Sequence, residues 1–445
     1  MKRLLILSMT ILLAAMLVSC DNSSSESDLS NSIDVNAHDF ERTTITLGVI
    51  NLAETFGEIE RLDVRRNVQL FNLENELYQI EVIYYTEDDT TRLRTELVSG
   101  RGPDILYSTW FECSIFTPMI RQGMLIDLLP YIDRDPEINR EDFFTSIFEA
   151  AQNPDGSLAL IPTFFYIQSL AALPGVVDAT KAFTTDWFLE LVRNAVDDGV
   201  NYPLDPMTTG YAFLITTLMY VDLGIIDFAT GVSDFENQTF FDLLEVALLL
   251  PEDIAAHPDS SLFGRMSTGG QVFTDVSIVS FLSFSRSKTL LGDFTFLGYP
   301  SDKGGIIGAT TQSHFGISAG SKNQETAWSF VRSFLHSDSP METHFTMPFA
   351  LRVDKFDEQV ISAMGVGEWS INDGGLEIPL QVLSEENINE LRSLIDSVSF
   401  VARPNIIITQ IVVEESSQFL AGTRTADDLV RILQNRVGIY LDERG

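Results

Sequence analysis

Residues 80–107 read IEVIYYTEDDTTRLRTELVSGRGPDILY, and this stretch decides the fold class. Ile80 to Tyr85 is rich in β-branched and aromatic residues and reads as a strand, while Leu93 and Leu97 stand four apart on one face of a helix. Gly100-Arg101-Gly102-Pro103 breaks that helix, and Asp104 to Tyr107 opens another strand. The same alternation begins upstream. Ile45 to Ile50 (ITLGVI) is strand-like, and Val64, Val68 and Phe71 form a helical stripe. A β-α-β-α-β order implies a parallel sheet with right-handed crossovers. Ligands of such sheets bind beyond the carboxyl ends of the strands, which here are Asn51, Thr86 and the run Ser108-Thr109-Trp110.

Further along, Leu158 to Leu170 is an apolar segment, and Trp187 to Val196 and Phe240 to Leu250 read as helices. Val276 to Phe284 and Phe294 to Gly298 are strand-like. A turn-rich segment from Pro300 to Thr311 leads to a short strand, His314 to Ser318, and then to a helix whose Ser321-Lys322-Asn323-Gln324 start has capping-box spacing. Ala327, Val331 and Leu335 form its buried stripe. The last helix starts at Thr425 with Asp428 three residues on, and buries Leu429, Ile432, Leu433 and Val437.

The amino terminus reads as an export signal. Lys2 and Arg3 precede an apolar run from Leu4 to Val18, too short for a spanning helix, and residues 17–20 are LVSC. That ending resembles a bacterial lipobox, which implies cleavage after residue 19 and diacylation of Cys20, hence a membrane anchor on the extracytoplasmic face. Residues 20–42 are polar, Ser-rich and acidic, and read as a flexible linker. With Cys20 lipidated, Cys113 is the sole remaining thiol, so no intramolecular disulfide is expected.

The formal charge of −36 moves to −38 without residues 1–19. Nucleic acid is an improbable partner, because its binding requires cations on its phosphates. The length of 445 residues and 45% apolar content suit two cores rather than one. Catalytic and metal signatures are missing: there is no HExxH, phosphate loop, EF-hand loop or paired-cysteine zinc site. No cofactor and no metal are expected, and His336 and His344 read as solvated loop residues. Gly316-Ile317-Ser318-Ala319-Gly320 matches the G-x-S-x-G nucleophile elbow, but polar residues precede it and no helix follows the serine directly. It reads as a chance match.

Several pieces resemble the extracellular solute-binding proteins of ABC transporters, the family 1 or maltose-binding-protein-like group. They are Phe71-Asn72 with Glu74-Asn75, Ile80-Glu81-Val82, Leu97 to Ile105 (LVSGRGPDI), Gly123 to Leu128 (GMLIDL), Asp155-Gly156, Ile161-Pro162, Gly316 to Leu335 and Thr425 to Glu443. The resemblance implies an α/β, two-lobed, periplasmic-binding-protein-like fold of type II. Each lobe would be a mainly parallel sheet flanked by helices, with the ligand cleft at the hinge. Residues 43–162 plus 308–349 would form lobe 1, and 163–307 plus 350–445 lobe 2. The implied role is a monomeric, lipid-anchored substrate-binding protein that captures a neutral mono- or oligosaccharide and delivers it to an ABC permease. A polyamine or other small solute in the same fold, or a surface lipoprotein for adhesion or sensing, stays open.

Sugars pair apolar C–H faces with hydroxyl rims, so a sugar site combines aromatic surfaces with amides, carboxylates and hydroxyls. The expected ligand contacts are Trp110, Thr109 and Asn51 at strand ends, Tyr166 at the first crossing between lobes, and Gln312 and His314 at the return crossing. Tyr211, which opens a helix of lobe 2, joins them. So does Phe281, whose strand in the family carries a stacking aromatic. Trp187 and Trp328 read as core, and Asp104 as a structural turn residue.

Overall fold

A computed structural model of the chain describes residues 42–50, 58–110, 113–178, 181–220, 223–227, 230–252, 261–339, 343–367, 369–373, 376–403 and 405–444. The strands in chain order are β1 (Thr43–Ile50), β2 (Tyr78–Tyr85), β3 (Ile105–Trp110), β4 (Ile161–Ala172), β5 (Ile226–Asp227), β6 (Val232–Ser233), β7 (Thr274–Ile278), β8 (Thr295–Phe296), β9 (Ile307–Ile317), β10 (Phe349–Ala350), β11 (Ser370–Asp373), β12 (Leu376–Pro379) and β13 (Val398–Val401).

Alternation in β1 turns Ile45, Leu47 and Val49 inward, and helices Glu58–Glu74 and Thr90–Val98 cross over to β2 and β3. β1 pairs in parallel with both, so the chain's first strand lies between its second and third. The crossover from β1 leads to β2 on one side, and the crossover from β2 passes back to β3 on the other, so the strand order reverses beside β1. Asp104 locks this unit. Its carboxylate accepts the Thr46 N–H and hydroxyl, both at 2.9 Å, and the Ser321 hydroxyl at 2.6 Å. The structural reading of Asp104 therefore holds, and Ser321 is not the cap of the following helix. That helix, Gln324–Arg332, begins at Asn323 instead. Ala327 and Val331 of its stripe are buried as expected, as is Leu335 just beyond its end. The terminal helix, Ala426–Arg444, is capped by the Thr425 hydroxyl, which accepts the Asp428 N–H at 3.2 Å.

The main sheet runs β10-β4-β9-β3-β1-β2, with β13 beside β9 and β7 and β8 beside β4. Parallel pairing is confined to β1–β2, β1–β3 and β9–β13; β9 is antiparallel to β3 and β4, and β4 to β7, β8 and β10. The expectation of mainly parallel sheets is thus corrected to a mixed sheet, because the chain leaves through β4 and returns beside it through β9 in the opposite sense. The return strand starts at Ile307, seven residues before the expected His314, and its polar centre belongs to the sheet.

Phenylalanine dominates the packing. One buried cluster joins β1 and β3 to Phe143, Phe165, Phe281, Phe315, Phe349 and Phe356. A second gathers Phe188, Phe213, Phe240 and Phe273 with Leu429, Leu433 and Val437 of the terminal helix. β4 serves both, with Phe165 and Ile167 in the first and Leu170 and Ala172 in the second. Among the described residues no helix is long and apolar enough to cross a membrane.

Candidate functional site

Three adjacent strands bring most of the expected site residues together. Trp110 of β3 lies opposite Gln312 of β9, which lies opposite Phe164 of β4; Tyr166 faces Thr310, and His314 lies between Ser108 and Pro162. Directly opposed residues, and residues two apart on one strand, share a sheet face. One face therefore carries the Trp110 backbone position, Gln312, Thr310, Phe164, Tyr166, Gln168 and Leu170. It continues onto β7, where Ser277 and Asp275 oppose Gln168 and Leu170. Alternation sends Thr109, also buried, to the other face. The Trp110 side chain, Asn51 and Cys20 lie outside the described residues.

The centre of β9 is polar and buried. Thr310 donates to the Gln168 amide oxygen at 2.8 Å, Thr163 to the Ser313 carbonyl at 3.2 Å, and Tyr107 to the Ser313 hydroxyl at 3.2 Å. Ser313 has a φ of 54°, a left-handed conformation that only glycine adopts freely. This reversal lets the Thr311 hydroxyl meet His314 Nε2 at 2.8 Å, although residues three apart on a regular strand face opposite ways. Burial pushes the His314 pKa down to about 3; nearby Arg403 adds to the shift and a bond to the Ser108 backbone opposes it. The ring is neutral.

The shared face ends at a cavity of about 150 Å³ that sequence reading missed. Leu170 and Asp275 form its sheet side, Phe213, Thr216 and Thr217 come from the helix Gly210–Tyr220, and Phe188, Leu204, Asp205, Thr208, Tyr299 and Pro300 close it. Asp205 is fully engaged, accepting from Gln271 at 2.7 Å, Thr274 at 2.9 Å and the Asp275 N–H at 2.8 Å. Asp275 accepts the Tyr299 hydroxyl at 2.9 Å. Asp275 is solvent-exposed on β7 yet crowded by neighbouring groups, and the resulting loss of bulk hydration raises its pKa to about 6; the Tyr299 bond opposes the shift and Asp205 adds to it. Among the described residues the hydroxyls of Thr208, Thr216 and Thr217 have no hydrogen-bond partner, and no lysine, arginine or histidine lines the cavity. The available signal was the run Asp205 to Thr209, but its polar residues resembled an ordinary loop.

Two expected contacts lie elsewhere. Tyr211 lines a separate depression with Ala247, Pro251 and Leu420, where desolvation raises its pKa. The strand expected over Val276 to Phe284 stops at Ile278, because Ser280 and Ser283 form a reciprocal cap that starts the helix Phe281–Leu291. Phe281 is therefore the first residue of a helix, 1% exposed, with its ring 5.1 Å from both Phe349 and Phe356. Trp328 is core as expected, its indole donating to Asp135 at 3.1 Å.

Ser318 of the G-x-S-x-G match is buried, and its hydroxyl accepts the Gly320 N–H at 3.3 Å. The nearest histidine in sequence, His314, bonds Thr311 instead. Among the described residues no group of three or more His, Cys, Asp or Glu side chains is placed to hold a metal ion. The arrangement offers hydroxyl, amide and carboxylate partners beside aromatic faces, which suits binding of a small polar molecule.

Neither a protein-family model nor a curated protein matches the chain. Solved structures do. The sugar-binding protein MalE from Xanthomonas citri aligns with a TM-score of 0.55 at 14% identity, over 90% of this chain and 98% of that one. An ABC transporter solute-binding protein from Thermotoga lettingae, bound with α-D-tagatose, gives 0.51 at 15% identity, over 90% and 100%. An extracellular solute-binding protein of family 1 from Alicyclobacillus acidocaldarius gives 0.51 at 12% identity, over 90% and 98%. At such identities the likeness is one of fold: the chain has the two-lobed, type II periplasmic-binding-protein fold of the ABC-transporter sugar-binding proteins.

Proposed function

We propose that the chain is a substrate-binding protein of an ABC importer, anchored through a lipid on Cys20, that closes around a small neutral carbohydrate and delivers it to a membrane permease. Residues 43–162 with 308–349 form one lobe in this reading, and 163–307 with 350–445 the other. One observation carries the ligand class: three threonine hydroxyls without a protein partner stand beside Asp205, Asp275 and Tyr299, over the rings of Phe188 and Phe213. These hydroxyls reach solvent in the cavity, and a sugar's hydroxyl rim can take the place of that water. Tyr166, Gln312 and Trp110 are the proposed contacts on the strands leading to this cavity, whereas Thr109, on the other face, is not among them. The role is capture and release, with no chemistry on the ligand.

Thermal unfolding of the chain from Asp21 onward, against mono- and oligosaccharides, tests this reading. A ligand at a hundred times its Kd adds about 2.7 kcal/mol of stability, and Thr217→Val removes that gain while leaving the unliganded protein folded. No shift with any sugar overturns it. A second reading has support of its own. Two carboxylates, with no basic residue among the described lining residues, favour an amine beside the same aromatic rings. A shift with spermidine but not with sugars, weakening below pH 6 as Asp275 takes up its proton, would move the cargo to a polyamine and keep the role.

A further inference from the structure

A second concavity, of about 380 Å³, lies between the helices Glu58–Glu74 and Gln324–Arg332. Asn67 lines it. This residue is 6% exposed, and its carboxamide has no hydrogen-bond partner among the described residues. Its amide atoms reach solvent in the groove, so they are available to bond a ligand that displaces that water. Leu70 and Phe71 form an apolar wall, with the Phe71 ring edge-on to Phe330 at 5.5 Å.

The opposite side limits what that occupant can be. Arg332 is neutralised: it donates to Asp135 at 2.8 and 3.0 Å and also to Glu137. Glu74 and Asp338 add negative charge at the rim, so an anion is disfavoured. Ser329 and Ser333 donate to the carbonyls of Glu325 and Phe330, which leaves their lone pairs as acceptors. His336 Nδ1 accepts the Asp338 N–H at 3.1 Å, so a neutral ring carries its proton on Nε2. That nitrogen lies 3.7 Å from Glu137, within ion-pair range but beyond a hydrogen bond, and both residues line the groove.

We propose that this groove is a second ligand site, for one neutral saccharide unit. The Asn67 carboxamide, with donors and acceptor in one plane, bonds adjacent hydroxyls; Leu70 and Phe71 meet the C–H face; His336 donates to a further oxygen. The site is independent of the cavity beside Asp275 and stands whether or not that cavity takes a sugar.

The side-chain nitrogen resonances of the histidines in the mature chain report on it, with glucose and maltotriose as probes and spermidine and inorganic phosphate as comparisons. The His336 Nε2 signal is expected to shift saturably with a saccharide, with affinity at least about tenfold weaker in Asn67→Leu. The unliganded midpoint of that variant should hold, since the amide bonds no described protein group. Asn67→Ala, which empties the floor rather than filling it, should give the same loss. The proposal is overturned by a silent His336 signal with both saccharides, by a response that survives both substitutions, or by a response to spermidine or phosphate alone.

Discussion

The inward positions of β1 are Ile45, Leu47 and Val49, whereas the centre of β9 reads Thr310-Thr311-Gln312-Ser313-His314 and is equally buried. The first strand removes aliphatic surface from water, and any neighbour of the right shape satisfies it. The second buries donors and acceptors, and needs particular partners: Gln168 for Thr310, Tyr107 for Ser313, and Thr311 for His314. Apolar burial is non-directional and tolerant, while polar burial fixes geometry because each unmet group is costly. The strands that carry the polar run are those that lead to the cavity.

Packing should be equally sensitive in both regions. Phe165→Ala, which removes a ring 5.7 Å from Phe144 and 5.8 Å from Phe349, is expected to cost about 3–5 kcal/mol, and Leu47→Ala about 2–5 kcal/mol. Urea unfolding measures both, and a loss under 1 kcal/mol at either site would break the shared dependence on close packing. Asp104→Ala comes next. It strands the Thr46 N–H and frees Ser321, for about 2–3 kcal/mol in the same assay.

The polar region alone should give stability a pH dependence of its own. His314 has a folded pKa near 3, below its ordinary value of 6.5, so the unfolded chain takes up that proton first. Its contribution is full above pH 6.5 and is lost as pH falls towards 3, with a slope of at most about 1.4 kcal/mol per pH unit. His314→Gln should remove this slope. Asp275 acts in the opposite sense. Its folded pKa of about 6 lies above the ordinary 3.8, so it favours the folded state as pH falls from 6 towards 4, and Asp275→Asn should abolish that rise. Unfolding midpoints from pH 3.5 to 7.5 separate the two. The smallest effect is expected at the surface: Arg140→Ala breaks an exposed pair with Asp133 at 2.6 Å and should cost less than about 1 kcal/mol.

The same contrast explains what could be read in advance. The β1–β3 unit and its crossover helices were legible because apolar periodicity is a property of each segment alone. Asp104 was legible as structural because it follows Gly102-Pro103. The start of β9 was not, since a run of Thr, Gln, Ser and His signals a loop until the partners on β3 and β4 are known. Phe281 was misread because the Ser280–Ser283 cap interrupts an otherwise strand-like apolar run. Asp205, Asp275 and Thr217 are separated by up to 70 residues, and nothing local to any of them announces the cavity they share. Register alone puts Tyr166 and Gln312 on the face that reaches Leu170, and no local signal shows it.

Calorimetric titration of the chain from Asp21 onward with the sugar that stabilises it best, compared with Thr217→Val and Asp275→Asn, tests the central claim that this cavity holds the ligand. The account predicts one saturable site in the cavity, weakened about tenfold or more by each substitution, with the fold intact. Binding of unchanged strength in both variants would contradict it.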